Sequence, residues 1–129
     1  MMSKEKKQTY ITEMTSQFEK SEAVIVAHYQ GLTVTQLDEL RAKMREHGII
    51  FKITKNRITK LALEKTRCKD LSNLFTGPTA VALSQDAISS AKILTNFSKD
   101  NKNLKILGGI MGNDILDVAG VKNVATLPT

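Results

Sequence analysis

Three groups of residues in this chain carry reactive chemistry: a thiol with two imidazoles, a set of carboxylates, and a block of cations. Cys68 is the single thiol, and His28 and His47 are the two imidazoles. A thiol nucleophile needs a base within hydrogen-bond reach. The sequence instead places Cys68 in a basic, surface-like stretch and His47 at a helix C-terminus, where a cation and the helix dipole attract. One cysteine makes no internal disulfide, and two histidines so far apart offer no zinc spacing. Asp38, Glu39 and Glu46 fall on a predicted solvent face beside Arg41, Lys43 and Arg45, where i to i+4 pairing accounts for them without acid–base catalysis. Gly108, Gly109 and Gly112 are too close together for the phosphate-cradling G-x-x-x-x-G-K-[ST] or for G-x-G-x-x-G, and they read as a bend between strands. The residue pattern therefore argues against an enzyme and calls for no cofactor and no metal.

The cations are more informative. Between Ile49 and Lys69 lie Lys52, Lys55, Arg57, Lys60, Lys65, Arg67 and Lys69 against Glu64 alone. Seven minus one equals the +6 of the whole chain, in which 19 Lys and Arg face 13 Asp and Glu. Such concentration is the footprint of a protein that docks on a phosphate backbone, and a solvated helix face has the same look.

The elements that must hold these residues follow from periodicity. A chain of 129 residues has the length of one domain, 1 to 129, with near-average apolar and charged fractions of 41% and 25%. Its longest apolar run, Ala23 to Ala27, is far short of the roughly 20 residues that span a bilayer. Lys4, Glu5, Lys6 and Lys7 lack the apolar core of a signal peptide, so the expectation is a soluble intracellular protein with no membrane partner.

Ile11, Met14 and Phe18, with Tyr10 alongside, predict a first helix over about residues 4 to 20, capped by Ser3. The β-branched run Ala23 to Tyr29 predicts a central strand covered on both faces. Thr33 and Gln36 form a capping box for a second helix with Val34, Leu37, Leu40 and Met44 inward, closed by Gly48. Ile49 to Ile53 predicts a second strand. Asn56 is expected to cap a third helix carrying Ile58, Leu61 and Ala62, and a short helical turn holds Leu71, Leu74 and Phe75. After the break at Gly77-Pro78, Thr79 to Ser84 and Leu104 to Ile110 are strands, and the helix between them starts at Asp86 with Ile88, Ala91, Leu94 and Phe97 inward. A last short helix follows Asp117. Without the basic insertion at 55 to 76, the order is that of the split βαβ motif. The expected fold is α+β, a ferredoxin-like α/β plait. Its four-stranded antiparallel sheet has the first and third strands central and two helices on one face. The N-terminal helix and the insertion between strands two and three cover the other.

At Tyr29-Gln30-Gly31-Leu32-Thr33, Lys55-Asn56-Arg57-Ile58 and Thr76-Gly77-Pro78-Thr79-Ala80-Val81 the sequence resembles the bacterial large-subunit ribosomal protein L-ten family, the stalk-base proteins, in order and spacing from about Lys4 to Pro128. The resemblance implies a cytoplasmic, ribosome-bound protein whose plait domain binds large-subunit ribosomal RNA beside the ribosomal protein L-eleven, in the region that serves translational GTPases. In that family a long C-terminal helix carries dimers of the acidic stalk protein L-seven/twelve. The sequence stops at Leu127-Pro128-Thr129, before that helix, so stalk capture is not expected of these residues.

By the resemblance, the Gln30-Gly31 loop and the Lys55-Asn56 start of helix three match RNA-contacting segments. Many relatives carry a basic residue at the Gln30 position, so a phosphate salt link becomes a neutral hydrogen bond there. Arg57 replaces a commoner small hydroxyl residue and adds a charge at the same helix end. The physics of the residues agrees: a helix start offers backbone amides to phosphate, Gly31 lets a backbone approach closely, and Lys52, Lys55, Arg57 and Lys60 add cations. Lys4 and Lys7 complete the expected RNA-binding set, while Lys99 is expected to stand outside it. The competing functions are a non-ribosomal adaptor for an acidic protein surface and a small enzyme.

Overall fold

Strand β1, Ala23–His28, alternates Ala23, Ile25 and Ala27 toward one side with Val24 and Val26 toward the other, and all five are buried. A strand apolar on both faces needs a layer on each side, and the rest of the chain supplies the two layers. The computed structural model describes residues 3–64, 66 and 68–127. In chain order its elements are α1 (Lys4–Lys20), β1, α2 (Val34–Glu46), β2 (Ile50–Ile53), α3 (Asn56–Leu63), a 3-10 turn (Lys69–Leu74), β3 (Thr79–Ser84), α4 (Ala87–Asp100), β4 (Lys105–Met111), β5 (Asp114–Leu116) and α5 (Val118–Ala125).

The sheet is antiparallel in the order β2-β3-β1-β4-β5. Its first four members are the expected plait, with β1 and β3 central. On one face Leu40 and Met44 of α2, Ala91, Leu94 and Phe97 of α4, and Val121 and Val124 of α5 pack on Ala23, Ile25, Ala27 and Ala82. On the other, Met14 and Phe18 of α1, Ala62 and Leu63 of α3, and Leu71 and Phe75 around the 3-10 turn pack on Val24, Val26, Val81 and Leu83.

Several expectations need correction. The sheet has five strands, not four: Gly112 (φ +61°) and Asn113 turn the chain after Met111, and β5 pairs back on β4 with Met111 opposite Asp114. Gly109 does not bend the chain but lies in β4, where a Cβ would stand 2.5 Å from the Val24 carbonyl oxygen, so the close approach of β1 and β4 requires glycine. Cys68 is not a surface residue; it is fully buried and fills the second core as a small apolar group. Val34 is 75% exposed, because it stands at the first position of α2, beyond the sheet that covers Leu40 and Met44. In α3 the buried residues are Thr59, Ala62 and Leu63, while Leu61 is exposed and Ile58 half-buried. The rotation is set by α1, whose Tyr10 hydroxyl lies 2.8 Å from Thr59 Oγ1 and so satisfies a hydroxyl that is otherwise costly to bury.

The helix starts were legible. Ser3 accepts from the Lys6 amide, Thr33 and Gln36 form the complete capping box, Asp86 accepts from the Ser89 amide, and Asp117 accepts from the Gly120 amide. The exposed Gly48 follows α2 at φ +71°.

Candidate nucleic-acid interface

The register fixes which loops meet. His28, the last residue of β1, pairs with Thr79 at the start of β3 and with Lys105 at the start of β4, and Ile53 at the end of β2 pairs with Ala80. One end of the sheet therefore carries the loops 29–33, 54–55, 75–78 and 101–104. The motif segments at Tyr29 to Thr33, Lys55 to Ile58 and Thr76 to Thr79 are far apart in sequence and converge there.

Hydrogen bonds knit them together. The Tyr29 amide donates to the Pro78 carbonyl at 3.2 Å, and His28 Nε2 meets the Thr76 carbonyl at 2.5 Å. Asn56 Nδ2 donates to the Gly77 carbonyl at 2.6 Å, and Asn56 Oδ1 accepts from the Thr54 hydroxyl at 3.1 Å. Asn56 is thus a clamp between α3 and the 76–78 loop, not the helix cap that the sequence suggested. The cap position belongs to Lys55, whose side chain cannot accept a hydrogen bond, so the first turn of α3 has no side-chain cap. The reason is geometric: Asn56 is already the first helical residue, and its amide is turned to Thr54 on one side and Gly77 on the other. An uncapped helix start leaves backbone N–H groups and the positive end of the dipole available to an anion.

The expected site residues occupy three positions around this end. Lys55 and Arg57 are exposed at the α3 start, and Lys60 is half-buried one turn further on. Lys52 lies on the edge strand β2, with its ammonium 5.9 Å from the centroid of the Tyr10 ring, so part of its charge is held by a cation–π contact. Gln30 is exposed in the loop after β1, and Gly31 beside it has φ +92°. A Cβ on Gly31 would come within 2.9 Å of Asn103 Cγ, and Asn103 Nδ2 donates to the Gly31 carbonyl at 3.0 Å. Gly31 therefore has a structural reason of its own. Lys4 and Lys7 are exposed in the first turns of α1. Tyr10 binds the Lys55 amide as well as Thr59, and Thr15 reaches the Ala62 carbonyl, so α1 and α3 run side by side in the same direction. With a rise of ~1.5 Å per residue, Lys7 and Lys4 lie roughly 5 to 9 Å along α1 before Tyr10, at the α3 start and beyond it. Lys65 and Arg67 of the basic block lie outside the described residues.

Residue-type reasoning missed four contributors. Tyr10, which the spacing sets alongside the apolar stripe of α1, accepts with its hydroxyl from the Lys55 amide at 3.2 Å and positions the loop before α3. Thr54 bridges Asn56 and the Thr79 carbonyl. Asn103 and Lys105 reach the Gln30 loop because β4 starts beside the end of β1; with His28 and Gln30 they line a cavity of about 170 Å³. The only available signal was the strand order itself.

None of the four Phe and two Tyr is exposed, and the chain has no Trp. The surface at this end thus offers ammonium, guanidinium, amide and backbone N–H donors without a stacking platform. Among the described residues no group of three or more His, Cys, Asp or Glu is placed to hold a metal ion. No described helix is long and apolar enough to cross a membrane.

Comparison with known proteins agrees with the motifs. A family profile described as ribosomal protein L10 matches residues 2–99. A protein of Pelagibacter ubique named large ribosomal subunit protein uL10 is 70% identical over 128 residues, which cover 99% of this chain and 77% of the relative. The proteins of the same name from Rhodospirillum rubrum and Paramagnetospirillum magneticum are 45% identical over 128 residues and 53% identical over 106 residues. They are matched over 74% and 62% of their lengths, and cover 99% and 82% of this chain. A profile that matches most of the chain, together with a relative at this identity, decides the matter: the chain belongs to the ribosomal protein L10 family.

Proposed function

We propose that the sheet end built from the Gln30-Gly31 loop, the start of α3 and the 76–78 loop docks on the phosphate backbone of large-subunit ribosomal RNA at the stalk base, beside the ribosomal protein L-eleven. The coarser role follows from membership: the family is ribosomal and structural, not enzymatic, and its members here are named as components of the large subunit. The single observation that carries the finer reading is the convergence of the three motif segments at one sheet end, around an uncapped helix start flanked by Lys55 and Arg57.

The contacts suit a folded RNA read by shape and backbone. A phosphate at the α3 start would meet backbone amides, the helix dipole and two exposed cations, and none of these distinguishes bases. Single-stranded recognition needs aromatic faces on which bases stack, and every aromatic side chain here is at least partly buried. Capture of the acidic L-seven/twelve dimers is no part of this proposal, since the resemblance assigns it to a helix beyond these residues.

The test is the binding of a stalk-base RNA fragment across a salt series. Affinity should fall linearly in log salt with a slope of about 0.7 to 0.9 per phosphate neutralised. Lys55→Ala and Arg57→Ala should each reduce that slope by about one contact. Arg45→Ala, exposed at the far end of α2, should leave it unchanged. Equal small losses for all three variants would refute the site, and full competition by unstructured RNA of equal length would refute recognition by shape. An adaptor for an acidic protein surface would ignore the RNA altogether.

A further inference from the structure

The C-terminal half of α4 returns to the same sheet end, because α4 follows β3 at the far end and leads into β4 at the near one. There it packs against α5 over an open groove. A cavity of about 410 Å³ between the two helices is bordered by Lys99 and Lys122, with Thr95 and Asn96 in its wall. A second of about 320 Å³ shares Lys122 and Ser98 with the first and is flanked by Lys102 and Lys105. Lys105 also lines the cavity that holds Gln30 and His28. The three share lining residues in sequence, so they form one continuous track from α5 to the Gln30 loop.

Its chemistry is cationic. Lys99, Lys102, Lys105 and Lys122 are all exposed. The nearest carboxylates in sequence are Asp100 and Asp117, and Asp117 is engaged by the Gly120 amide at 2.7 Å. Thr95 is 8% exposed, and its hydroxyl has no hydrogen-bond partner among the described residues. Val118, 37% exposed, is the one strongly exposed apolar side chain in the walls, which disfavours a protein ligand that would need an apolar anchor. Four ammonium groups along one groove, without an apolar core, fit a run of phosphates.

We infer that the α4–α5 groove is a second arm of the RNA site, in which Lys99, Lys102, Lys105 and Lys122 hold the backbone of the same RNA that docks at the α3 start. The inference rests on the reading above and extends it. Lys99, which the sequence left outside the site, becomes part of it, and the domain grips its RNA on both sides of the Gln30 loop.

The experiment uses the whole chain and the stalk-base RNA fragment, with the pairs Lys99→Ala/Lys122→Ala and Lys102→Ala/Lys105→Ala beside Lys55→Ala/Arg57→Ala. All six side chains are exposed, and thermal midpoints check that each variant folds. Each groove pair should lower the salt slope by about 1.4 to 1.8 and lessen the affinity lost between 50 and 200 mM salt about tenfold. Backbone cleavage of the bound RNA should lose protection at a segment different from the one exposed by Lys55→Ala/Arg57→Ala. Groove variants that bind with the parental slope and footprint, while Lys55→Ala/Arg57→Ala weakens, overturn the second arm and leave the first standing. Parental binding by all three pairs overturns both. A groove pair that keeps the RNA contact but loses an acidic protein ligand also overturns the inference.

Discussion

Asn56 separates a helix cap from a loop clamp, and two substitutions tell them apart. Its amide nitrogen donates to the Gly77 carbonyl at 2.6 Å, and its amide oxygen accepts from the Thr54 hydroxyl at 3.1 Å. Both partners keep a second contact: Thr54 Oγ1 lies 3.1 Å from the Thr79 carbonyl, and Thr79 Oγ1 lies 3.1 Å from the Gly77 carbonyl. Truncation to alanine therefore removes two hydrogen bonds without stranding a buried group, a loss of about 1 to 3 kcal/mol at about 0.5 to 1.5 per bond. Asn56→Asp is the discriminating change. A carboxylate can still accept from Thr54, but it confronts the Gly77 carbonyl with a second acceptor at hydrogen-bond distance. Its attraction to the helix start returns only about 0.3 to 1 kcal/mol. The aspartate variant should thus be at least as destabilised as the alanine variant, by about 1 to 3 kcal/mol. If Asn56 were a cap, aspartate would replace it at no loss, because the two are equivalent caps. Urea unfolding at constant m value measures the difference. RNA affinity, read where both variants are folded, should fall further for aspartate than for alanine, since the new negative charge would stand at the proposed phosphate site. An aspartate variant within about 0.3 kcal/mol of the parent, beside an alanine variant that loses about 1, would refute the clamp.

Gly109→Ala should cost about 3 kcal/mol or prevent folding, because its Cβ meets the Val24 carbonyl oxygen at 2.5 Å and Ile25 Cα at 3.1 Å, backbone that cannot move aside; a parental urea midpoint would contradict the spacing of β1 and β4. The Ser89 hydroxyl, at 2.7 Å, and the Ser89 amide hold the Asp86 carboxyl below its ordinary 3.8. Its stabilisation is therefore present above that value and lost as pH falls through the lower folded one. Asp86→Ala should cost about 0.5 to 2 kcal/mol at pH 7, with the difference from the parent shrinking in acid; a difference constant to about pH 2 would remove the charged cap from the account. Cys68, fully buried, should react with a thiol reagent only at the rate of unfolding. Prompt labelling of the native protein would place the 3-10 turn wrongly.

Local rules were enough for the element order, the caps at Ser3, Thr33, Asp86 and Asp117, and the two-faced apolar pattern of β1 that demands covering layers. Together with the preference for right-handed crossovers, these yield the plait topology, because each depends on residues within a turn or on alternation along a strand. The charge block and the three motif segments were legible for the same reason. The fifth strand was not: Asp114 to Leu116 is too short to show a period, and it exists because β4 offers an edge to pair with. The rotation of α3 was decided by Tyr10 on another helix, and the burial of Cys68 by a 3-10 turn that has no strong periodic signal.

The site divides along the same line. Sequence named Lys55, Arg57, Gln30 and Gly31 by type and motif, yet it gave Asn56 the wrong task, since a cap and a clamp use the same amide and only the position of Gly77 selects between them. Lys105, Lys102, Lys99 and Lys122 carry no local mark that separates them from solvated surface lysines. Strand pairing of His28 with Lys105 and the packing of α5 on α4 bring them to the motif-bearing end of the sheet. Composition and periodicity determined that this protein is a basic plait; long-range register determined which of its charges stand together, because electrostatic cooperation depends on distance in space and local propensity on distance along the chain.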